Sequence, residues 1–155
     1  MDISPTERSR RILYGTMSGV EDFLRFTMET VDDFPTGWLA TLDTDIMVTK
    51  ENRVEYNFYE KPMSCNVCVQ LKSAMDENSK MKILANDLTR RLLNTSESLG
   101  LEARIKVVND YSQKLLNSGY GQEQVRRIII NGIKSYERKF EESMRAGGRK
   151  LQRTS

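Results

Sequence analysis

The sequence predicts an α+β, mostly helical chain: an N-terminal helix and a β-hairpin, followed by a three-helix basic bundle. Three observations predict it. Residues 37–63 alternate apolar and polar in the period-two manner of strands. From about residue 79 onward, apolar residues recur at helical spacing. Charge changes sign at the same place: residues 1–78 hold 8 Lys/Arg against 14 Asp/Glu, a net of −6, and residues 79–155 hold 16 against 8, a net of +8. The overall charge of +2 conceals this polarity. An acidic half joined to a basic helical half points to a module that touches a polyanion.

At 155 residues the chain is long enough for one domain with a core, or for a small α/β part plus a helical part. With 38% apolar and 30% charged residues it is polar for a globular domain, so a thin core and frayed ends are expected. No apolar run approaches the ~20 residues needed to span a bilayer. The start, Met1-Asp2-Ile3-Ser4-Pro5-Thr6-Glu7, has no apolar stretch of the secretory kind, which points to an intracellular protein, in nucleus or cytoplasm.

Residues 1–17 read as a polar tail or short helix, with a basic cluster at Arg8, Arg10 and Arg11. Residues 18–78 read as a helix plus β-hairpin. Ser18-Gly19-Val20-Glu21 matches a capping box, and Val20, Phe23, Leu24, Thr27, Met28 and Val31 fall on one face, which predicts a helix over roughly 18–31. Asp32-Asp33-Phe34-Pro35-Thr36-Gly37 ends it in a loop. The first strand is expected over Gly37–Val48, with Leu42, Thr44, Ile46 and Val48 on one face. The second is expected over Val54–Met63, with Val54, Tyr56 and Phe58 on one face. Thr49–Arg53 is the connecting turn, with Asn52 suited to a left-handed conformation. Two strands alone are marginal in water, so the hairpin needs a covering element. Val67, Val69 and Leu71 alternate and suggest a third short strand.

Residues 79–146 hold three helices. The first, about 79–94, turns Met81, Ile83, Leu84, Leu88 and Leu92 inward and Lys80, Lys82, Arg90 and Arg91 outward. The second, about 101–117, buries Leu101, Ile105, Val108 and Leu115, and Gly119 stands where a glycine ends a helix. The third starts near Gly121, buries Val125, Ile128, Ile129, Ile133, Tyr136 and Phe140, and runs to about Arg145. Residues 147–155 read as a basic disordered tail.

The chemistry available is narrow. With no histidine, Cys₂His₂ zinc sites, Ser-His-Asp hydrolysis and imidazole acid–base catalysis are excluded. Cys65 and Cys68 form a CxxC without a second pair, which reads as two ordinary thiols; no metal and no cofactor is expected. Asp32-Asp33 and Asp43-Thr44-Asp45 are the carboxylate pairs that a two-metal phosphoryl-transfer site would use. Period two instead puts Asp43 and Asp45 on a solvated strand face, and Asp32-Asp33 sits in a Pro-terminated loop. The helix ending near Asn117, the turn Asn117-Ser118-Gly119-Tyr120-Gly121, and the helix opening with Arg126 and Arg127 in its first turns have helix-turn-helix form. Any antiparallel helix pair with a solvated basic face has that form too. Tyr56, Phe58 and Tyr59 beside Lys61 have the composition of a base-stacking platform, but alternation places Tyr56 and Phe58 in the core.

Leu42-Asp43, Phe58-Tyr59-Glu60-Lys61-Pro62-Met63, Ser73-Ala74, Lys80 and Arg90-Arg91, with the later Asn117-Ser118-Gly119-Tyr120 and Gly132–Lys139, resemble the region just downstream of the catalytic palm in reverse transcriptases of animal retroelements, Penelope-like and related elements. The resemblance covers roughly residues 38–140. It implies the end of a palm at 18–78 and a thumb-like or helix-turn-helix segment at 79–146. That family's catalytic Tyr-x-Asp-Asp hairpin is missing here, so no catalytic residue carries over and no enzymatic activity is expected. The implied protein is a transposon-derived, noncatalytic piece of a reverse transcriptase. It would bind RNA, DNA or hybrid backbone weakly and without sequence preference through Lys61, Lys80, Arg90, Arg91, Arg126, Arg127, Lys134, Arg138 and Lys139. The alternative is a helical protein-interaction module, docking the remainder of a polymerase or another protein and no nucleic acid.

Overall fold

The computed structural model describes residues 5–20, 26–30, 33–61 and 64–151. Contacts group the chain into two compact units, residues 1–39 and 40–155. The elements in order are α1 (Pro5–Ser18), β1 (Leu39–Thr41), β2 (Thr44–Val48), β3 (Val54–Phe58), α2 (Glu77–Leu93), a 3-10 turn (Glu97–Leu99), α3 (Gly100–Asn117) and α4 (Gln122–Leu151). This is the α+β, mostly helical class the sequence predicts, with a small antiparallel sheet.

In the first unit the helix lies earlier than expected. Pro5 opens α1, where its fixed φ suits a first turn, and Glu7 pairs with Arg11 one turn on at 3.1 Å. Ser18 closes this helix instead of capping the start of another. The expected polar tail at 1–17 is therefore helical from Pro5, and residues 26–30 of the expected 18–31 helix have no regular structure. Residues 21–25 and 31 lie outside the described residues. Ser-Gly serves as a helix stop as readily as a start: glycine inside a helix costs about 1 kcal/mol relative to alanine, and the Glu, Arg, Leu and Met before it are strong formers.

The expected long first strand is two strands. Leu42 takes a positive φ of 57°, and Leu42-Asp43 becomes the tight turn between β1 and β2. Leu42 leaves the apolar face altogether and is 89% exposed. The strand order is β1-β2-β3, so β1 supplies the third strand. β2 and β3 pair in the register Thr44↔Phe58, Ile46↔Tyr56 and Val48↔Val54. Asn52 adopts the left-handed conformation expected of it, with φ 62°. β3 ends at Phe58, short of the expected Met63, although the Tyr59 amide still donates to the Asp43 carbonyl at 2.9 Å.

Val67, Val69 and Leu71 form no strand. Their segment is a strap across the α3–α4 turn. The Cys68 amide donates to the Ser118 hydroxyl at 2.8 Å, the Leu71 amide to the Ser118 carbonyl at 3.1 Å, and the Tyr120 hydroxyl to the Val69 carbonyl at 2.8 Å. With these groups spent on the turn, little of the backbone is left for a ladder.

The helices fall close to the expected bounds. Asp76 caps α2 by accepting from the Ser79 amide at 2.9 Å. Gly119, with φ 93°, ends α3. α4 continues beyond Arg145 to Leu151, so the expected disordered tail is helical that far, and residues 152–155 lie outside the described residues. Extending a formed helix fixes one residue per added hydrogen bond, which is why it outlasts the apolar pattern. The core joins Leu84, Leu88 and Leu92 of α2, Val107, Tyr111 and Leu115 of α3, and Tyr120, Val125 and Ile128 around the start of α4. Leu101, Ile105 and Ile83, expected inside, are exposed.

α4 packs chiefly on α2 and much less on α3. Gly132 makes that approach possible: a β-carbon there would come within 2.7 Å of Leu88 Cδ2 and 3.1 Å of the Ala85 carbonyl. Replacing Gly132 with Ala should therefore destabilise the fold by about 1–2 kcal/mol, because the overpacking exceeds the gain in helix propensity. Urea unfolding of Gly132→Ala, with an unchanged m-value and a lower midpoint, is the expected result.

Candidate nucleic-acid interface

The nine cations named from the sequence separate into two groups. Lys80 is only 6% exposed, and its ammonium donates to the carbonyls of Leu71 at 2.6 Å and Ser73 at 2.8 Å. It pins the strap to α2 and cannot reach a phosphate from there. Arg91 is buried as well. Its guanidinium lies over the rings of Phe58 at 4.4 Å and Tyr111 at 4.9 Å and pairs with Asp87 at 3.0 Å and Glu60 at 3.1 Å. Arg90 is exposed but paired with Asp43 and with Asp87. Sequence periodicity carried the signal for the two buried ones. Lys80 lies one turn before Leu84, and Arg91 lies seven residues after it, on the apolar stripe of α2.

Glu60, itself exposed, is the carboxylate on which this network converges. It accepts from Arg91, from the Ser64 hydroxyl and from the buried Lys114 of α3. Burial alone pushes the Glu60 carboxyl up; the hydrogen bonds from Lys114, Ser64 and Arg91, with the Arg91 charge, outweigh it and hold the group down at about 2. Burial and the Asp87 charge hold the Tyr111 hydroxyl un-ionised well above its ordinary value, and it donates to the Leu84 carbonyl at 2.9 Å.

The second group is Lys61, Arg126, Arg127, Lys134, Arg138 and Lys139, all exposed. Five of the six stand on α4. Arg127, Lys134 and Arg138 are spaced by seven and four residues, which places them on one face, and Arg145 continues it seven residues on. That face is opposite Val125, Ile128 and Gly132, which pack on α2 and the rest of the core. At 1.5 Å per residue the stripe is about 27 Å long. Arg145 pairs with Glu141 at 3.5 Å; among the described residues, no carboxylate pairs with Arg126, Arg127, Lys134, Arg138 or Lys139. The turn that would make a helix-turn-helix motif is present, but α4 leans on α2 and not mainly on the helix before it.

The carboxylates do not assemble. Asp43 is in the β1–β2 turn, paired with Arg90. Asp45 does not face open solvent as expected: it is half-buried at a cavity of about 370 Å³ that Asn57 and, from α3, Lys106 and Asp110 also line, and burial raises its pKa. Asp33 accepts from the Thr30 amide at 2.7 Å, a local turn contact, and Asp32 lies outside the described residues. Among the described residues no three His, Cys, Asp or Glu side chains converge as a metal site would require. Cys65 and Cys68 are free thiols, and the Cys68 sulfur sits 3.2 Å from the Ser118 hydroxyl. Phe58 packs on the core as expected, whereas Tyr56 is exposed at its margin.

No family model, curated protein or solved structure matches the chain. No described helix is long and apolar enough to cross a membrane.

One further surface was not foreseen. Between α3 and α4, which pack on each other less than α4 does on α2, lies an apolar trough of about 490 Å³, lined by Leu101, Ile105, Val108, Ile133 and Tyr136.

Two outcomes separate structural cations from free ones. Lys80→Met should cost about 2–3 kcal/mol, since two buried carbonyls lose their donor, while Arg127→Ala should stay within about 0.5 kcal/mol by the same urea assay. The Glu60 contribution is fully present above the ordinary glutamate value of 4.5 and is lost as pH falls toward about 2. A Tm series from pH 6 to pH 2 should therefore fall less steeply for Glu60→Gln than for the parent chain.

Proposed function

We propose that the chain binds the sugar–phosphate backbone of RNA, DNA or a hybrid without catalysing a reaction on it, in the manner of the thumb region of retroelement reverse transcriptases. The observation that carries this reading is the row of exposed cations on the outer face of α4, of which Arg127, Lys134 and Arg138 have no carboxylate partner among the described residues. Arg127, Lys134 and Arg138 are held on a long rigid helix, clear of the carboxylates that occupy Arg90 and Arg91. Each cation that meets a phosphate releases condensed counterions, so affinity falls with salt. Contacts from Lys and Arg to phosphate carry no sequence information, which suits sequence-independent binding. Lys80 and Arg91 are left out of the interface, since both are consumed inside the fold. The compartment that suits this activity is intracellular, nucleus or cytoplasm.

A protein-docking module with no nucleic-acid role is the second reading, favoured by the apolar trough between α3 and α4. Salt separates the two. Fluorescence anisotropy of the full chain on a labelled RNA–DNA hybrid should give a logarithm of affinity that falls linearly with log salt, with a slope of roughly −3 if about three to four phosphates are neutralised. Arg127→Glu with Arg138→Glu should weaken binding at least about tenfold, equally on unrelated sequences, and flatten the slope. No binding at low salt by the folded chain would overturn the proposal and leave the docking reading.

A further inference from the structure

The trough between α3 and α4 carries features that specify its occupant. Its lip is formed by Leu101, 69% exposed, and Ile105, 47% exposed, one helical turn apart on α3. Its floor is Val108 of α3 with Ile133 and Tyr136 of α4. A second hollow of about 210 Å³ shares Leu92, Arg104 and Tyr136 with it and adds Phe140, with Glu97 and Ser143 also on its wall. Met144, one turn past Phe140, is also exposed. Protruding aliphatic side chains and a hollow that accepts aliphatic side chains thus lie side by side on one surface. That is the requirement for an isologous contact, in which the same patch must be both knob and hole.

Charge on the same surface narrows the choice. Arg104 stands over the Tyr136 ring at 5.6 Å, and its buried Nε has no hydrogen-bond partner. Glu137 lines the trough opposite, yet among the described residues neither group has an ion-pair partner. An acidic partner would serve Arg104 and repel Glu137; a basic one would do the reverse. A copy of the same surface, turned about a two-fold axis, brings one of each sign and satisfies both twice.

We infer that this trough is a self-association surface, where Leu101 and Ile105 of each copy seat in the other's trough and Arg104 of each copy pairs with the other's Glu137. The inference is independent of the nucleic-acid reading, because the cation stripe lies on a different face of α4.

Sedimentation equilibrium of the full chain tests it. The parent chain should show a monomer–dimer equilibrium that persists at high salt through its apolar contacts and weakens only in part as the Arg104–Glu137 pairs are screened. Ile105→Glu should weaken it at least about tenfold with an unchanged circular dichroism spectrum, and with an unchanged melting curve at concentrations where both chains are monomeric. Arg104→Glu and Glu137→Arg should each dimerise poorly alone, and an equimolar mixture of the two should recover association, since both cross-pairs are then of opposite sign. A parent chain that stays monomeric at high micromolar concentration would overturn the inference and assign the trough to another partner. So would a dimer indifferent to Ile105→Glu, or a mixture that associates no better than its components.

Discussion

The close crossing of α2 and α4 at Gly132 is the constraint on which the rest of this molecule depends. Without a β-carbon at that point, Leu88 and the backbone of α2 lie against α4, and the Thr89 hydroxyl comes within hydrogen-bond distance of the carbonyls of both Ala85 and Gly132. With α4 committed chiefly to α2, its contact with α3 is the lesser one. Tyr111 then fills the space between α2 and α3, and its hydroxyl is satisfied by the Leu84 carbonyl. The basic face of α4 and the apolar trough beside it are both by-products of that one crossing: the first because the core side of the helix is fully spent, the second because the α3 side is not.

Polar groups as well as apolar ones tie the second unit together. Glu60, Arg91, Asp87 and Lys114 link the end of the sheet to α2 and α3, and Lys80 links the strap to α2. Ionised groups so placed are costly to desolvate, and they persist because they are paired: Glu60 meets Arg91 and Lys114, Arg91 meets Glu60 and Asp87, and Lys80 meets two carbonyls. Packing between two rings adds to this for Arg91, whose flat guanidinium is better suited to the slot than an ammonium would be. The small core that the composition implies is thus completed by charge pairing.

What was legible in the sequence follows the strength of the periodic signal. The bounds of α2, α3 and the start of α4 came within a residue or two, because Leu84, Leu88, Leu115, Val125 and Ile128 repeat cleanly and Gly119 punctuates the end of α3. The hairpin turn at Asn52 was equally plain. The Leu42-Asp43 turn was not, since a leucine with positive φ gives no compositional warning and sits in phase with the strand pattern. Ser18-Gly19 was ambiguous between start and stop. For the candidate site, the exposed cations of α4 were visible as charges on a polar face. The burial of Lys80, Arg91 and Lys114 was encoded in their spacing but masked by their chemistry. Asp87 stands one turn from Arg91 on the same helix, but Glu60, which both Arg91 and Lys114 meet, and the strap carbonyls that hold Lys80 lie outside their helices, and a periodic pattern along one helix contains no information about those.

The Ser96 contact to β3 has a consequence for how this chain survives crowding. Its amide donates to the Tyr56 carbonyl at 2.7 Å and its hydroxyl accepts from the Tyr56 amide at 2.8 Å. Those are the two hydrogen bonds a foreign strand would make at the same position. A single serine therefore imitates an incoming strand and occupies the middle of an edge whose exposed Val54 and Tyr56 would otherwise invite cross-β stacking. The opposite edge, β1, is only three residues long and offers little to template on. The sheet is small enough to be protected by one loop residue on one side and by brevity on the other.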